Sequence, residues 1–308
     1  MQTDSIFQQG ATHEVCEDYA LNGGGYAIVS DGCSSGQFTD WGSRLLCKAA
    51  EQNLAKQRQH PMQFYQAVGA TVLTQARTFA LPPSCLTATL LTAQVTDDVI
   101  RTLAMGDGVI GGKRKDGRWK IHVIDFPTPL GAGGAPYYLK YDIYHETEQW
   151  MENCGSNFTI TTYFGNIMCP EMEYPVLEGD PGTWPNYNSR SVAWAQHVTE
   201  TIQEKEFDKE HPYNEFNFPV EEYEFVFVAS DGMESFTERR VTKTTKYNED
   251  ISVLDALRVL MDIRSHPQGF MRLQRDWSFK QERAGTFKRR QWSNGDDVGV
   301  GVLYCGKD

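Results

Sequence analysis

Three runs of apolar residues in this chain end at an Asp flanked by Gly. Tyr26-Ala27-Ile28-Val29-Ser30 runs into Asp31-Gly32, Val99 to Met105 into Gly106-Asp107-Gly108, and Tyr223 to Ala229 into Ser230-Asp231-Gly232. Short apolar runs of this kind, rich in Val, Ile and aromatic residues, read as buried strands. A fourth acidic pair, Asp296-Asp297, stands just before the apolar strand Val298 to Tyr304, and a fifth, Glu17-Asp18, lies near the N-terminus. Strand ends of one sheet converge in space even when they are distant in sequence. A fold that pairs these strands therefore collects their carboxylates.

Collected carboxylates repel one another and raise one another's pKa unless a cation offsets them. Mg²⁺ and Mn²⁺ are hard ions that take oxygen ligands in near-octahedral geometry. A Gly after the Asp removes Cβ bulk, so that backbone or water approaches closely. Asp-Gly is also a common turn dipeptide, and the chain contains its own control. Asp116-Gly117 sits among Lys113, Arg114, Lys115 and Arg118 with no apolar strand leading directly into it, and it reads as a hairpin tip.

Composition narrows the class. The chain has 308 residues, 40% hydrophobic and 23% charged, as in an ordinary globular protein with a sizeable core. No apolar run approaches the roughly 18–20 residues of a membrane span. The N-terminal MQTDSIFQQGATHE lacks a basic region followed by an apolar stretch, so no secretory signal is read there and a cytoplasmic location is expected. The seven cysteines are odd in number and form no CxxC pair, which suggests neither a disulfide framework nor a zinc site. A net charge of −12 argues against nucleic acid as a partner.

The element order predicts two short strands and a buried one in the first 30 residues. Helices follow from Thr39, through Leu45, Leu46, Ala49, Ala50 and Leu54, and from Pro61 to Phe79, closed by Pro82-Pro83. Leu86 to Val95, Val99 to Met105 and Trp119 to Ile124 read as a meander. The stretch 126–220 reads as an elaborated insertion within one domain spanning 1–308, with a helix-like piece near Val192 to Glu204. Further helices are expected over Ile251 to Ile263 and within Gly269 to Phe287. Runs of strands and separate blocks of helices predict an α+β layered fold with antiparallel sheets.

The order of the acidic clusters resembles the PPM family, the metal-dependent protein phosphatases of type 2C. The motifs that carry the resemblance are CEDYAL, AIVSDGCSSG, CLTATLL, LAMGDGVIGG, FVFVASDGMESF and NGDDVGVGVL, in that order. The resemblance lapses over about 126–220, where the family carries a variable flap. It implies a four-layer α-β-β-α sandwich, two mainly antiparallel sheets flanked by helices. It also implies two bound Mg²⁺ or Mn²⁺ ions and a weaker third, and hydrolysis of phosphoserine or phosphothreonine in a phosphorylated protein by a water bridging two metals.

Residue by residue, the resemblance has Asp31 bridging two metals and Gly32 offering its carbonyl to one of them. Asp231 and Asp296 complete the first metal site, Glu17 reaches the other through water, and Asp18 supports it. Asp107 with Asp231 resembles the pair that holds the third metal. Asp297 stands where the family usually has Asn and is read as a supporting residue, with a register choice between it and Asp296 left open.

Two positions depart from the family pattern. His13 stands where the family usually carries the Arg that grips substrate phosphate, and it is either a phosphate-binding residue or an ordinary exposed His. Cys33 stands where many eukaryotic members have a His, and no phosphate-cradling loop ending in Arg surrounds it, so a catalytic thiol is not expected. Gly131-Ala132-Gly133-Gly134 reads as a flexible loop, and Tyr137, Tyr138, Tyr141, Tyr144, Trp150 and Tyr163 as packing of the insertion. The basic run Lys280 to Arg290 reads as a solvated helix face. Two rivals to the phosphatase stay open: a pseudophosphatase that binds phosphoprotein without hydrolysing it, and an enzyme of the same chemistry acting on a small phosphoester.

Overall fold

The computed structural model describes residues 1–10, 12–58, 60–126, 135–155, 157–166, 198–241, 246–250 and 291–306, with the backbone alone over 236–241, 246–250 and 291–294. Two antiparallel sheets carry most of the chain. The larger contains β1 (Gln2–Gln8), β6 (Gly108–Arg114), β7 (Trp119–Asp125), β8 (Asn157–Gly165), β9 (Val198–Glu206), β11 (Tyr223–Ala229) and β15 (Val298–Tyr304), in the order β1-β15-β11-β6-β7-β8-β9. The smaller contains β2 (Tyr19–Gly23), β3 (Tyr26–Ser30), β4 (Leu90–Thr96), β5 (Val99–Met105) and β10 (Asn214–Pro219), in the order β10-β5-β4-β3-β2. A third, small sheet pairs β12 (Phe236–Val241) with β13 (Lys246–Asp250) and β14 (Gln291–Asn294).

The two main sheets face one another. Val29, Leu91, Ile100 and Ala104 of the smaller pack against Ile110, Ile124, Val226, Val228 and Leu303 of the larger. On the outer face of the smaller sheet lie α1 (Thr39–Gln57) and α2 (Pro61–Thr78). Leu46, Ala49, Ala50 and Leu54 of α1 are buried at helical spacing, as are Phe64, Val68 and Val72 of α2, against Ile28, Leu90 and Leu103. Pro61 opens α2 at its first position, where the missing N–H has no intrahelical partner to lose. The α+β class with two sheets flanked by helices matches the sequence expectation. The helices expected over 251–263 and 269–287, the loop 131–134 and the basic run 280–290 lie outside the described residues.

Within 126–220 the described chain holds α3 (Leu139–Ile143), α4 (Thr147–Cys154), β8, β9 and β10. Tyr137, Leu139 and Trp150 are buried beside α1 and α2, with Tyr137 and Trp150 rings 5.0 Å apart, so these aromatics do pack the segment. One expectation fails here: residues 198–204 are strand, not helix. Val198, Thr199, Thr201 and Ile202 favour extended backbone, and β9 pairs with β8 over its whole length. As the outermost strand it is exposed at eight of its nine positions. Its Glu, Gln and Lys residues therefore show no alternation of burial and mimic a polar helix. Strand β6 was also unread. Its Gly-Val-Ile-Gly-Gly core passes between β7 and β11, and the Asp116-Gly117 turn closes the β6–β7 hairpin, with Gly117 at φ +88° and Asp116 Oδ1 accepting the Arg118 N–H at 3.0 Å.

Candidate metal centre

The acidic clusters all fall at strand ends, and the sheets bring them to one edge of the sandwich. Asp18 directly precedes β2, Asp31 directly follows β3, and Asp107 occupies the turn between β5 and β6. Asp231 opens the short helical turn Asp231–Glu234 after β11, and Asp296 and Asp297 precede β15. Local hydrogen bonds fix each position. Thr89 N–H donates to the Asp31 carbonyl at 2.8 Å and the Asp31 N–H donates to Thr89 Oγ1 at 3.0 Å. Gly106 and Gly108 on either side of Asp107 hold φ +99° and +133°, values a side chain resists.

The glycines after Asp31 and Asp231 serve close backbone approach rather than access for an ion alone. A Cβ on Gly232 would lie 1.7 Å from the Asp297 carbonyl oxygen, and one on Gly32 would lie 2.8 Å from that of Glu17. Each Asp-Gly thus presses its strand end against another acidic segment. The Thr39 hydroxyl donates to Glu17 Oε1 at 2.5 Å and the Ser43 hydroxyl to the Glu17 carbonyl at 2.6 Å, so α1 holds Glu17 in place.

The electrostatics are those of an uncompensated anionic cluster. Asp18 is fully buried, and neither of its carboxylate oxygens has a hydrogen-bond donor; Asp231 Oδ1 is likewise buried without one. Burial first, and then repulsion from Asp18 and Asp231, push Asp31 well above the usual carboxylate range. Burial, with repulsion from Asp231 and Asp297, pushes Asp18 up to about 7. Asp107 is raised by burial and by Asp231 and Asp125, and Asp296 by burial and Asp231. The strongest charge effects on these groups come chiefly from one another.

The paired acids at 296 and 297 separate into two roles. Asp297 is buried; its Oδ1 accepts the Gly10 N–H at 2.6 Å and its Oδ2 the Glu17 N–H at 2.5 Å. Asp296 has a side chain 47% exposed, and its backbone N–H donates to Ser235 Oγ at 3.1 Å. Asp296 thus stands at the surface of the cluster against His13, while Asp297 anchors the N-terminal segment.

His13 is not a lone surface residue. Its Nε2 lies 3.2 Å from Asp296 Oδ1, and its Nδ1 lies 3.2 Å from Asp297 Oδ2 and 3.7 Å from Glu17 Oε2. Burial alone would lower its pKa, but Asp297, Asp296 and Glu17 together raise it. Cys33 has Ser35 Oγ 3.1 Å from its sulfur.

Sequence reasoning missed three contributors. Asp125 ends β7 and repels Asp107; Glu234, on the same turn as Asp231, is raised by burial, Asp125 and Asp231; and the buried Tyr138 hydroxyl stands by Cys33, Asp107 and Asp31. Glu234 was findable from its place three residues after Asp231. Tyr138 gave no signal, because its neighbours come from two other elements.

Residues 9–125 match the model of the family described as protein phosphatase 2C. This segment contains the first four of the six motifs, and over it the resemblance read from them is borne out. No curated protein matches the chain. Among solved structures, a bacterial serine phosphatase is 12% identical, with 100% of this chain and 99% of that one covered and a TM-score of 0.48. The serine/threonine phosphatase Stp1 from Staphylococcus aureus is 11% identical over 98% of this chain and 94% of that one, with a TM-score of 0.45. The PPM Ser-Thr phosphatase MsPP from Mycobacterium smegmatis is 12% identical over 99% of each chain, with a TM-score of 0.42.

Proposed function

We propose that this chain, with its type 2C phosphatase segment, is a metal-dependent phosphatase of phosphoserine or phosphothreonine in proteins. Asp31, the Gly32 carbonyl, Asp231 and Asp296 would hold two divalent ions, Mg²⁺ or Mn²⁺, with Glu17 and Asp18 in support and Asp107 with Asp231 for a third. The observation that carries this reading is Asp18, fully buried with neither carboxylate oxygen hydrogen-bonded, among the neighbouring acids Asp31, Asp231 and Asp297. An unpaired buried charge is costly, and a bound cation removes the cost.

When bound, such ions supply Lewis acidity toward phosphoryl oxygens and activate water at neutral pH. The protein's share is positioning. The Thr89 pairing holds Asp31, the Thr39 hydroxyl holds Glu17, and Ser235 ties the Asp231 turn to Asp296 by donating to the Gly232 carbonyl at 2.7 Å. Ligands fixed before substrate arrives need no reorganisation during phosphoryl transfer. The net charge of −12 supports a protein rather than nucleic-acid partner. Among the described residues no helix is long and apolar enough to cross a membrane. The described cysteines are free thiols, in keeping with a cytoplasmic location.

A second reading, a phosphoprotein-binding module without turnover, is favoured by one observation: carboxylates flank both ring nitrogens of His13, at the place expected to grip phosphate. Phosphate release from a phosphothreonine peptide and from small phosphoesters, with Mn²⁺, with EDTA and in Asp231→Asn, separates the readings. The phosphatase predicts peptide hydrolysis that requires Mn²⁺ and falls by about 10² or more in the variant. Mn²⁺-loaded, folded protein that releases nothing from either substrate selects the binding module, and preference for the small ester selects a small-molecule enzyme.

A further inference from the structure

We propose that Phe38, Trp41 and Phe79 form a docking surface for a phosphorylated protein segment, and that it takes an apolar side chain close in sequence to the phosphorylated residue. This inference rests on the phosphatase reading of the adjoining centre.

Phe38, Trp41 and Phe79 are the most exposed Phe and Trp side chains among the described residues, at 57%, 49% and 57%. Large apolar groups scattered singly over a surface need no explanation, whereas a group of them marks a contact. The Trp41 and Phe79 rings lie 6.1 Å apart, where the first turn of α1 meets the end of α2. Phe38 stands directly before α1, and its carbonyl accepts the Trp41 N–H at 3.1 Å.

Phe38 breaks two local rules. Its φ of +60° lies in the left-handed region, which suits Gly or Asn and is disfavoured for an aromatic residue. It also holds the N-cap position of α1, where Ser, Thr, Asp or Asn would satisfy the free helix amides, and its side chain makes no cap hydrogen bond. The helix gains nothing from a phenyl group held in solvent at this place. Departures of this kind concentrate where function sets the residue.

The aromatic group is continuous with the acidic centre. Six residues lead from Gly32 to Phe38, and they lie on the segment that follows Pro83. The Cys33 N–H donates to the Thr87 carbonyl at 2.9 Å, and a Cβ on Gly36 would lie 2.7 Å from the Ser84 carbonyl oxygen. Thr39, next to Phe38, donates to Glu17 Oε1 at 2.5 Å. One end of α1 therefore holds a residue of the acidic cluster and presents an aromatic side chain beside it. A peptide whose phosphate reaches the Asp31-Gly32 strand end has its neighbouring residues over this surface.

Charge selects the occupant. Two copies meeting through this face would bring together the acidic centres of chains that each carry a net charge of −12. The same charge repels an anionic lipid surface. In a phosphopeptide the negative charge sits on the phosphate, where bound cations attract it, and an apolar neighbour adds affinity without adding repulsion.

The test is Mn²⁺-dependent phosphate release from phosphothreonine peptides in which one Leu is moved through the positions on either side of the phosphothreonine, beside a parent with Ala at all of them. At one or more positions Leu is expected to raise kcat/KM about 10-fold, chiefly through KM. In Phe38→Gly, Trp41→Gln and Phe79→Gln that preference is expected to fall toward one. Phe38→Gly is expected to melt no lower than the wild type, because Gly relieves the left-handed conformation, so its lost preference is not a lost fold. A wild type indifferent to Leu, or variants that keep its preference, overturns the docking surface and leaves the phosphatase standing. A wild-type dimer that the variants abolish assigns the surface to a second copy and overturns the proposal. Folded, Mn²⁺-loaded wild type that hydrolyses none of the peptides overturns the phosphatase reading and this inference with it.

Discussion

Asp297 Oδ1 accepts the backbone N–H of Gly10 at 2.6 Å, a contact that joins the two ends of the chain across 287 residues. The second oxygen does the same for the Glu17 N–H, so one carboxylate anchors the segment that presents both His13 and Glu17. An amide in its place has one acceptor oxygen and an NH₂ that cannot accept. Asp297→Asn is therefore expected to lose about 1–3 kcal/mol through an unsatisfied buried donor. Asp296→Asn, at a half-exposed side chain, is expected to leave the melting temperature in EDTA nearly unchanged while weakening Mn²⁺ binding. Thermal melts of both variants in EDTA check the contrast.

Gly232 tests the claim that the Asp-Gly pairs exist for close approach. A Cβ there meets the Asp297 carbonyl oxygen at 1.7 Å, so Gly232→Ala must displace either the Asp231 turn or the start of β15. The expected loss is about 1–3 kcal/mol, with Mn²⁺ binding weakened in parallel. Gly117→Ala, at φ +88° with open space around it, is expected to cost about 1 kcal/mol with Mn²⁺ binding intact. Equal effects on the metal site from both variants would sink the claim.

The strand ends bearing Asp31, Asp107 and Asp231 were legible because each follows an apolar run buried in a sheet, and burial leaves a pattern in sequence. Other features leave none. Strand β9, exposed at nearly every position, has no buried face to reveal its period, and its charged residues imitate a helix. Asp296 and Asp297 are chemically identical neighbours, and what separates them is the pair of amides at Gly10 and Glu17, nearly 300 residues away. The contacts of His13 with carboxylates on a distant loop, and those of Tyr138, arise in the same way from tertiary packing that no local pattern encodes.

His122 predicts a pH dependence remote from the metal centre. It lies between the two main sheets, 5% exposed, with its ring stacked 4.2 Å from that of Phe216. Burial, with help from Lys120 and Lys205, lowers its pKa from 6.5 to about 3. The folded state thus binds this proton less readily than the unfolded chain. Its stability contribution is complete above pH 6.5 and is lost as pH falls from there toward about 3. Between pH 6.5 and about pH 5 the loss is about 1.5–2 kcal/mol. His122→Phe is expected to flatten this part of the melting profile, and an unchanged acid limb in the variant would show that the ring is protonated in the fold.

The most direct test of the carboxylate centre is a calorimetric titration of MnCl₂ into metal-free protein, run beside Asp31→Asn with melting temperatures recorded at each end point. The account predicts saturable uptake of about two ions. It also predicts a stabilisation of about 2.7 kcal/mol for each site once free Mn²⁺ reaches about 100 times its Kd. Both should be lost in the variant, which removes the carboxylate read as bridging the ions. A folded wild-type chain whose melting temperature and heat of titration do not respond to Mn²⁺, or an Asp31→Asn variant that binds it as the wild type does, would contradict the account.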